Sequence, residues 1–60
     1  MKAIYKYIVQ NNFGEHAELT TSGIAWKVFN VLRKHSRTCQ IIKINVDDPS
    51  DRKVIADWED

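Results

Sequence analysis

The chain has 60 residues, 43% hydrophobic and 28% charged, with a net charge of +1 and a single cysteine. That balance excludes a disordered chain, and the lone cysteine excludes an intramolecular disulfide. The length allows one domain (residues 1–60) that buries only about 60% of the surface its unfolded form exposes, so the core is small and a partner subunit would help stabilise it.

Charge is unevenly distributed. Residues 1–43 hold seven Lys and Arg against Glu15 and Glu18, a balance of +5, and residues 44–60 hold Arg52 and Lys53 against six Asp and Glu, a balance of −4. The body is basic and the tail acidic. The start, Met1 to Lys6, carries no apolar signal segment, and no apolar run approaches the roughly 18 residues of a membrane span, so a cytoplasmic location without membrane contact is expected.

The hydrophobic period runs from two to 3.6 and back to two, which predicts an α+β domain: a small antiparallel sheet of order ββαβ, extended to ββαββ, with one amphipathic helix on one face. Lys2 to Gln10 reads as a first strand, with Ala3, Tyr5, Tyr7 and Val9 on an uncharged inner face and Ile4, Lys6, Ile8 and Gln10 on the other. Asn11, Asn12 and Gly14 supply turn chemistry, after which Glu15 to Leu19 returns as a short strand with Ala17 and Leu19 inward. Thr20 as N-cap would put Leu19 and Ile24 in the positions of a hydrophobic staple.

In the helix that follows, Ile24, Ala25, Val28, Phe29, Val31 and Leu32 fall within an arc of about 160°, centred on Val28 and Leu32. Arg33, Lys34, His35 and Arg37 place cations at its negative end. Thr38 to Val46 reads as a central strand with Ile42, Ile44 and Val46 on one face and Ile41, Lys43 and Asn45 on the other. The end of the chain admits two readings. Asp48-Pro49 can start a turn before a last strand containing Val54, Ala56 and Trp58, or it can cap a helix. The strand is favoured, because a helix would set Glu59 and Asp60 against its own dipole and Val54-Ile55 prefers a strand.

Nothing in the inventory carries catalysis, so no enzyme and no cofactor are expected. Gly14 and Gly23 stand alone, and no phosphate loop, nucleophile elbow or spaced metal cluster occurs. His35 and Cys39 straddle the end of the helix, and a metal site from His16, His35 and Cys39 would need ligands from unrelated elements. Cys39 reads as a small core residue and His35 as a half-buried residue at the helix end.

Two surfaces remain. Trp26 falls outside the apolar arc, among Lys27, Asn30, Arg33, Lys34 and Arg37, and this aromatic within a basic face is the expected contact with a protein partner. The same cations could instead meet nucleic acid, with the protein as a dimer. The sheet face away from the helix is expected to carry Ile4, Lys6, Ile8, Ile41 and Lys43, a mixture suited to self-association, for example through paired edge strands. In layout the chain is similar to the small accessory or inhibitor proteins that phages and plasmids encode, so the expected function is to bind and inhibit or modulate a larger protein.

Overall fold

Val9 and Ile41 decide how the sheet is built. In the computed structural model, which describes residues 4–60, these two side chains are cross-strand partners and are fully buried. They join β1 (Tyr5–Asn11) to β3 (Thr38–Asn45), while β2 (His16–Leu19) pairs with the other side of β1 and β4 (Arg52–Glu59) with the other side of β3. All pairings are antiparallel and the order is β2-β1-β3-β4. The fold is therefore α+β, one antiparallel sheet with the helix α1 (Ser22–Leu32) on one face.

Helix and sheet meet through Ala25 and Phe29, which are buried against Val9, Cys39 and Ile41; Tyr7, Leu19, Val28, Leu32, Ile55, Ala56 and Trp58 pack around them half-buried. The inward line of the helix thus runs through Ala25 and Phe29, rotated from the expected centre at Val28 and Leu32. Ile24 and Val31, expected in the core, are 50% and 59% exposed. The rotation begins at the cap. Thr21, not Thr20, is the N-cap, so Leu19 does not occupy the staple position, and no side-chain hydroxyl bonds to the free amides.

The phase of β3 also differs from expectation. Directly paired residues share a face, so Cys39, Ile41, Lys43 and Asn45 stand on the helix side with Val9, Tyr7 and Tyr5, and Ile42 and Ile44 stand on the open side with Ile8 and Lys6. Ile41 therefore belongs to the core and not to the open face, and Lys43 lies over the Tyr5 ring at 4.1 Å. The reason is length. An eleven-residue helix is about 16 Å long and an eight-residue strand about 27 Å, so α1 needs apolar partners under only part of β3. Beyond Ile41 the helix side turns polar, and the apolar alternation continues on the other face.

The last segment is the expected strand, held to β3 by an Asx-rich turn. Asp47 N donates to Asn45 Oδ1 at 2.9 Å, Ser50 N to Asp48 Oδ1 at 3.2 Å, and Asp51 N to Asp48 O at 2.9 Å. A bulge at Ile55 breaks the alternation of β4. Val54 pairs with Ile42 on the open face, whereas Ala56 and Trp58 pair with Ile41 and Cys39 on the helix side. Of the first strand's expected inner face, Ala3 lies outside the described residues, as does Lys2 at its expected start.

Asn11 and Asn12 do more than turn the chain. Asn11 Oδ1 accepts from the amides of Phe13 and Glu15, and its Nδ2 donates to Ser36 Oγ at 2.9 Å. Asn12 Oδ1 accepts from the amides of Arg37 and Thr38. Ser36 in turn donates to Leu32 O, filling one of the carbonyls that the helix end leaves open. The hairpin turn and the exit of α1 are one hydrogen-bonded corner.

Because Phe29 fills the space between helix and sheet, Phe29→Ala is expected to cost about 3–5 kcal/mol, comparable to the whole stability of a domain this small. Val31→Ala, on the outer side, should stay within about 0.5 kcal/mol. Circular dichroism melts of the two variants check the helix register: the first should be largely unfolded at room temperature and the second unchanged.

Candidate functional site

The outer side of α1 is built from what the core does not take. With Ala25 and Phe29 pointing inward, a period of 100° per residue places Ile24 and Val31 on one flank, Lys27 and Lys34 on the outermost line, and Trp26 with Arg33 on the other flank. Trp26 is 43% exposed, and its ring meets Phe29 edge-on, with centroids 5.5 Å apart and planes at 77°. That contact holds the indole at a set angle while leaving much of it open to solvent. Lys27, Asn30, Arg33 and Lys34 are all exposed, as expected.

Arg37 does not share this face. The α-helix stops at Leu32 and tightens into a single 3-10 turn, Arg33–His35, so Arg37 falls past the helical elements, in the link to β3. Its amide is taken by Asn12 Oδ1 and its carbonyl by the amide of Asp60. The acidic end is likewise fixed as part of an edge strand, with Glu59 opposite Thr38, and does not fold over the helix. Helix α1 contains no acidic residue. Among the described residues Lys6 pairs with Glu18 at 3.5 Å and the His35 ring lies 3.7 Å from Glu15, and Lys27, Arg33 and Lys34 have no anionic partner.

The exposure of Ile24 and Val31 was not readable as a binding feature, because both fit the apolar arc of a helix whose rotation the sequence leaves free. The missing signal was the crowding of small and aromatic groups at Ala25 and Phe29, which can approach the sheet more closely than the β-branched pair.

The open sheet face keeps Ile4, Lys6 and Ile8 from the expected set and replaces Ile41 and Lys43 with Ile42, which is half-buried, and Ile44, which is buried at 8% exposure. Val46 joins it through its amide, which donates to Ile4 O at 2.9 Å, and Val54 joins it from β4. Ile4, Val46 and Val54 are about half exposed or more.

The chemistry-bearing side chains do not converge. The His35 ring is exposed beside Glu15, not half-buried as expected. Cys39 is sealed under the helix, with its sulfur 3.9 Å from Phe29 O. Burial pushes the Cys39 thiol up from its ordinary range, against smaller opposing effects of a hydrogen bond from the Gln40 backbone and the Arg33 charge. Among the described residues no three His, Cys, Asp or Glu side chains are placed to hold a metal, and no helix is long and apolar enough to cross a membrane. A polar cavity of about 210 Å³ lies along Gln10, Gln40 and Asp57, bridged by the Gln10–Gln40 hydrogen bond. No protein family, curated protein or solved structure matches the chain.

The Cys39 environment makes a direct prediction. A thiol-specific reagent should modify native protein only as fast as it opens, and denatured protein at once. Since the folded thiol ionises at higher pH than the unfolded one, its contribution to stability is complete below the ordinary thiol range and declines as pH rises through it. Denaturation midpoints followed into alkaline solution should fall for the wild type and fall less for Cys39→Ala.

Proposed function

We propose that the protein is an interaction module that binds a larger protein through the outer side of α1 and inhibits or modulates it. The observation that carries this reading is the display of Ile24, Trp26 and Val31, 43–59% exposed, around cations that have no anionic partner among the described residues. Folding needs the inner line of the helix only, and a solvated outer line would ordinarily be filled with polar residues of both signs. Trp and Arg are also the residues most enriched where binding energy concentrates. The complementary surface is apolar with acidic side chains at its rim. Nucleic acid is the weaker reading of the same face, because Arg37 is withdrawn from it and aliphatic side chains flank the cations that remain.

Trp26→Ala should leave a folded chain, with a loss of about 1 kcal/mol from the Phe29 contact. Partner affinity should fall at least about twentyfold, the equivalent of a 2 kcal/mol contact. The measurement is recovery of the partner from the native cell extract by wild type and variant, with nuclease treatment and with rising salt. Recovery of one stoichiometric protein, resistant to nuclease and lost with Trp26→Ala, is the expected result. A nuclease-sensitive capture that weakens steeply with salt would assign the face to nucleic acid instead.

A further inference from the structure

The open face of the sheet is laid out in rows that match themselves. Register and face place Ile4 beside Val46 in one row, Lys6, Ile44 and Arg52 in the next, and Glu18, Ile8, Ile42 and Val54 in the third. His16, Gln10, Gln40 and Asp57 form the fourth. From these rows we infer that the face is covered by a second copy of the same chain, packed sheet on sheet about a two-fold axis that runs along the strands between β1 and β3.

Such an axis keeps each row level with its own copy and lays β1 over β3 and β2 over β4 of the second copy. Ile8 then meets Ile42, Ile4 meets Val46, and the Gln10–Gln40 amides meet their equivalents. The outer strands add polar complementarity, with one pair of opposite charges. On this face β2 presents His16 and Glu18, while β4 presents Asp57 and Arg52. His16 falls level with Asp57 of the second copy, and Glu18 is offset from Arg52 of the second copy by one row, about 6.8 Å along the strands, which across a sheet spacing of about 10 Å two long side chains span. Lys6 keeps its 3.5 Å contact with Glu18. A two-fold axis across the strands would instead set the amide row against Ile4 and Val46, leaving polar groups without partners.

The face measures about 20 by 25 Å, so two copies bury roughly 1,000 Å², the lower limit for a specific interface. Edge-to-edge pairing is the poorer route to a dimer. β2 has four residues, and β4 is bulged at Ile55 and carries Arg52, Lys53, Asp57 and Glu59. The resulting assembly has four layers, helix, sheet, sheet, helix, and leaves Trp26 outward on both sides.

Sedimentation velocity of the chain from about 1 μM to about 1 mM covers the affinities a minimal interface allows. The expected result is a concentration-dependent species of twice the 7.0 kDa chain mass. Ile42→Lys should weaken it at least about tenfold, by putting an ammonium against Ile8 of the second copy. Ile4→Lys, outside the strands, should do the same and serves in its place if circular dichroism shows Ile42→Lys unfolded. Glu18→Arg and Arg52→Glu should each weaken the dimer, and the double exchange should restore it. Trp26→Ala should leave it unchanged. A monomer throughout the range, a dimer indifferent to both lysine variants, or a double exchange no better than its singles overturns the proposal.

Discussion

The pairing of β1 with β3, with Val9 opposite Ile41 beneath Phe29, is the constraint on which the rest of the molecule depends. Side chains alternate with a period of two, so a slip of one residue would exchange the faces of a whole strand. Held in register, Val9, Ile41 and Cys39 form the floor on which Ala25 and Phe29 rest. The same register sends Ile8, Ile42 and Ile44 to the opposite side. One pairing thus makes the core and also sets an apolar series on the far side, where Ile44 is buried and Ile8 and Ile42 are half-buried.

The strands were legible because turn chemistry and alternation agree at Asn11 to Gly14 and again at Asp48-Pro49. Gly14, at φ +81°, takes a backbone conformation that side-chain-bearing residues adopt only with strain, so the turn before β2 is written in the sequence. The phase of β3 was not legible. Ile41 and Ile42 are adjacent and equally apolar, and periodicity favours the longer series Ile42, Ile44, Val46. The structure chooses Ile41 because Cys39, two residues earlier, is the other side chain small and apolar enough to lie under the helix. The bulge at Ile55 was equally hidden, since an extra residue in a strand of Val, Ile and Ala leaves no mark on composition.

The helix shows the limit of amphipathic patterning. Six apolar residues define a broad arc, but the rotation within that arc is set by contact with the sheet. Ala25 brings the backbone close, and Phe29 then reaches across to β3, which carries Ile24 and Val31 outward. Trp26 was correctly placed on the outer flank because it lay outside the arc under either rotation. Arg37 was not, because nothing in Arg33 to Arg37 announces that the α-helix gives way to one tighter turn. That turn is fixed from outside, by Asn11 on Ser36 and Asn12 on the amides of Arg37 and Thr38.

Those asparagines connect the end of the helix to the sheet. A chain with so few buried side chains cannot fix the end of its helix by hydrophobic contact alone, and a polar corner of short-range geometry does it instead. With the corner formed, the rotation of α1 above the sheet is set at its C-terminal end by hydrogen bonds and in its middle by Phe29. The outer side, with Lys27 and Lys34 between the flank of Ile24 and Val31 and the flank of Trp26, follows from those two restraints. The backbone beneath the proposed contact surface is therefore held by the same restraints as the fold, so the ordering entropy of a contact there would fall on the side chains. A small core and a well-defined outer helix side are compatible here because different forces supply them.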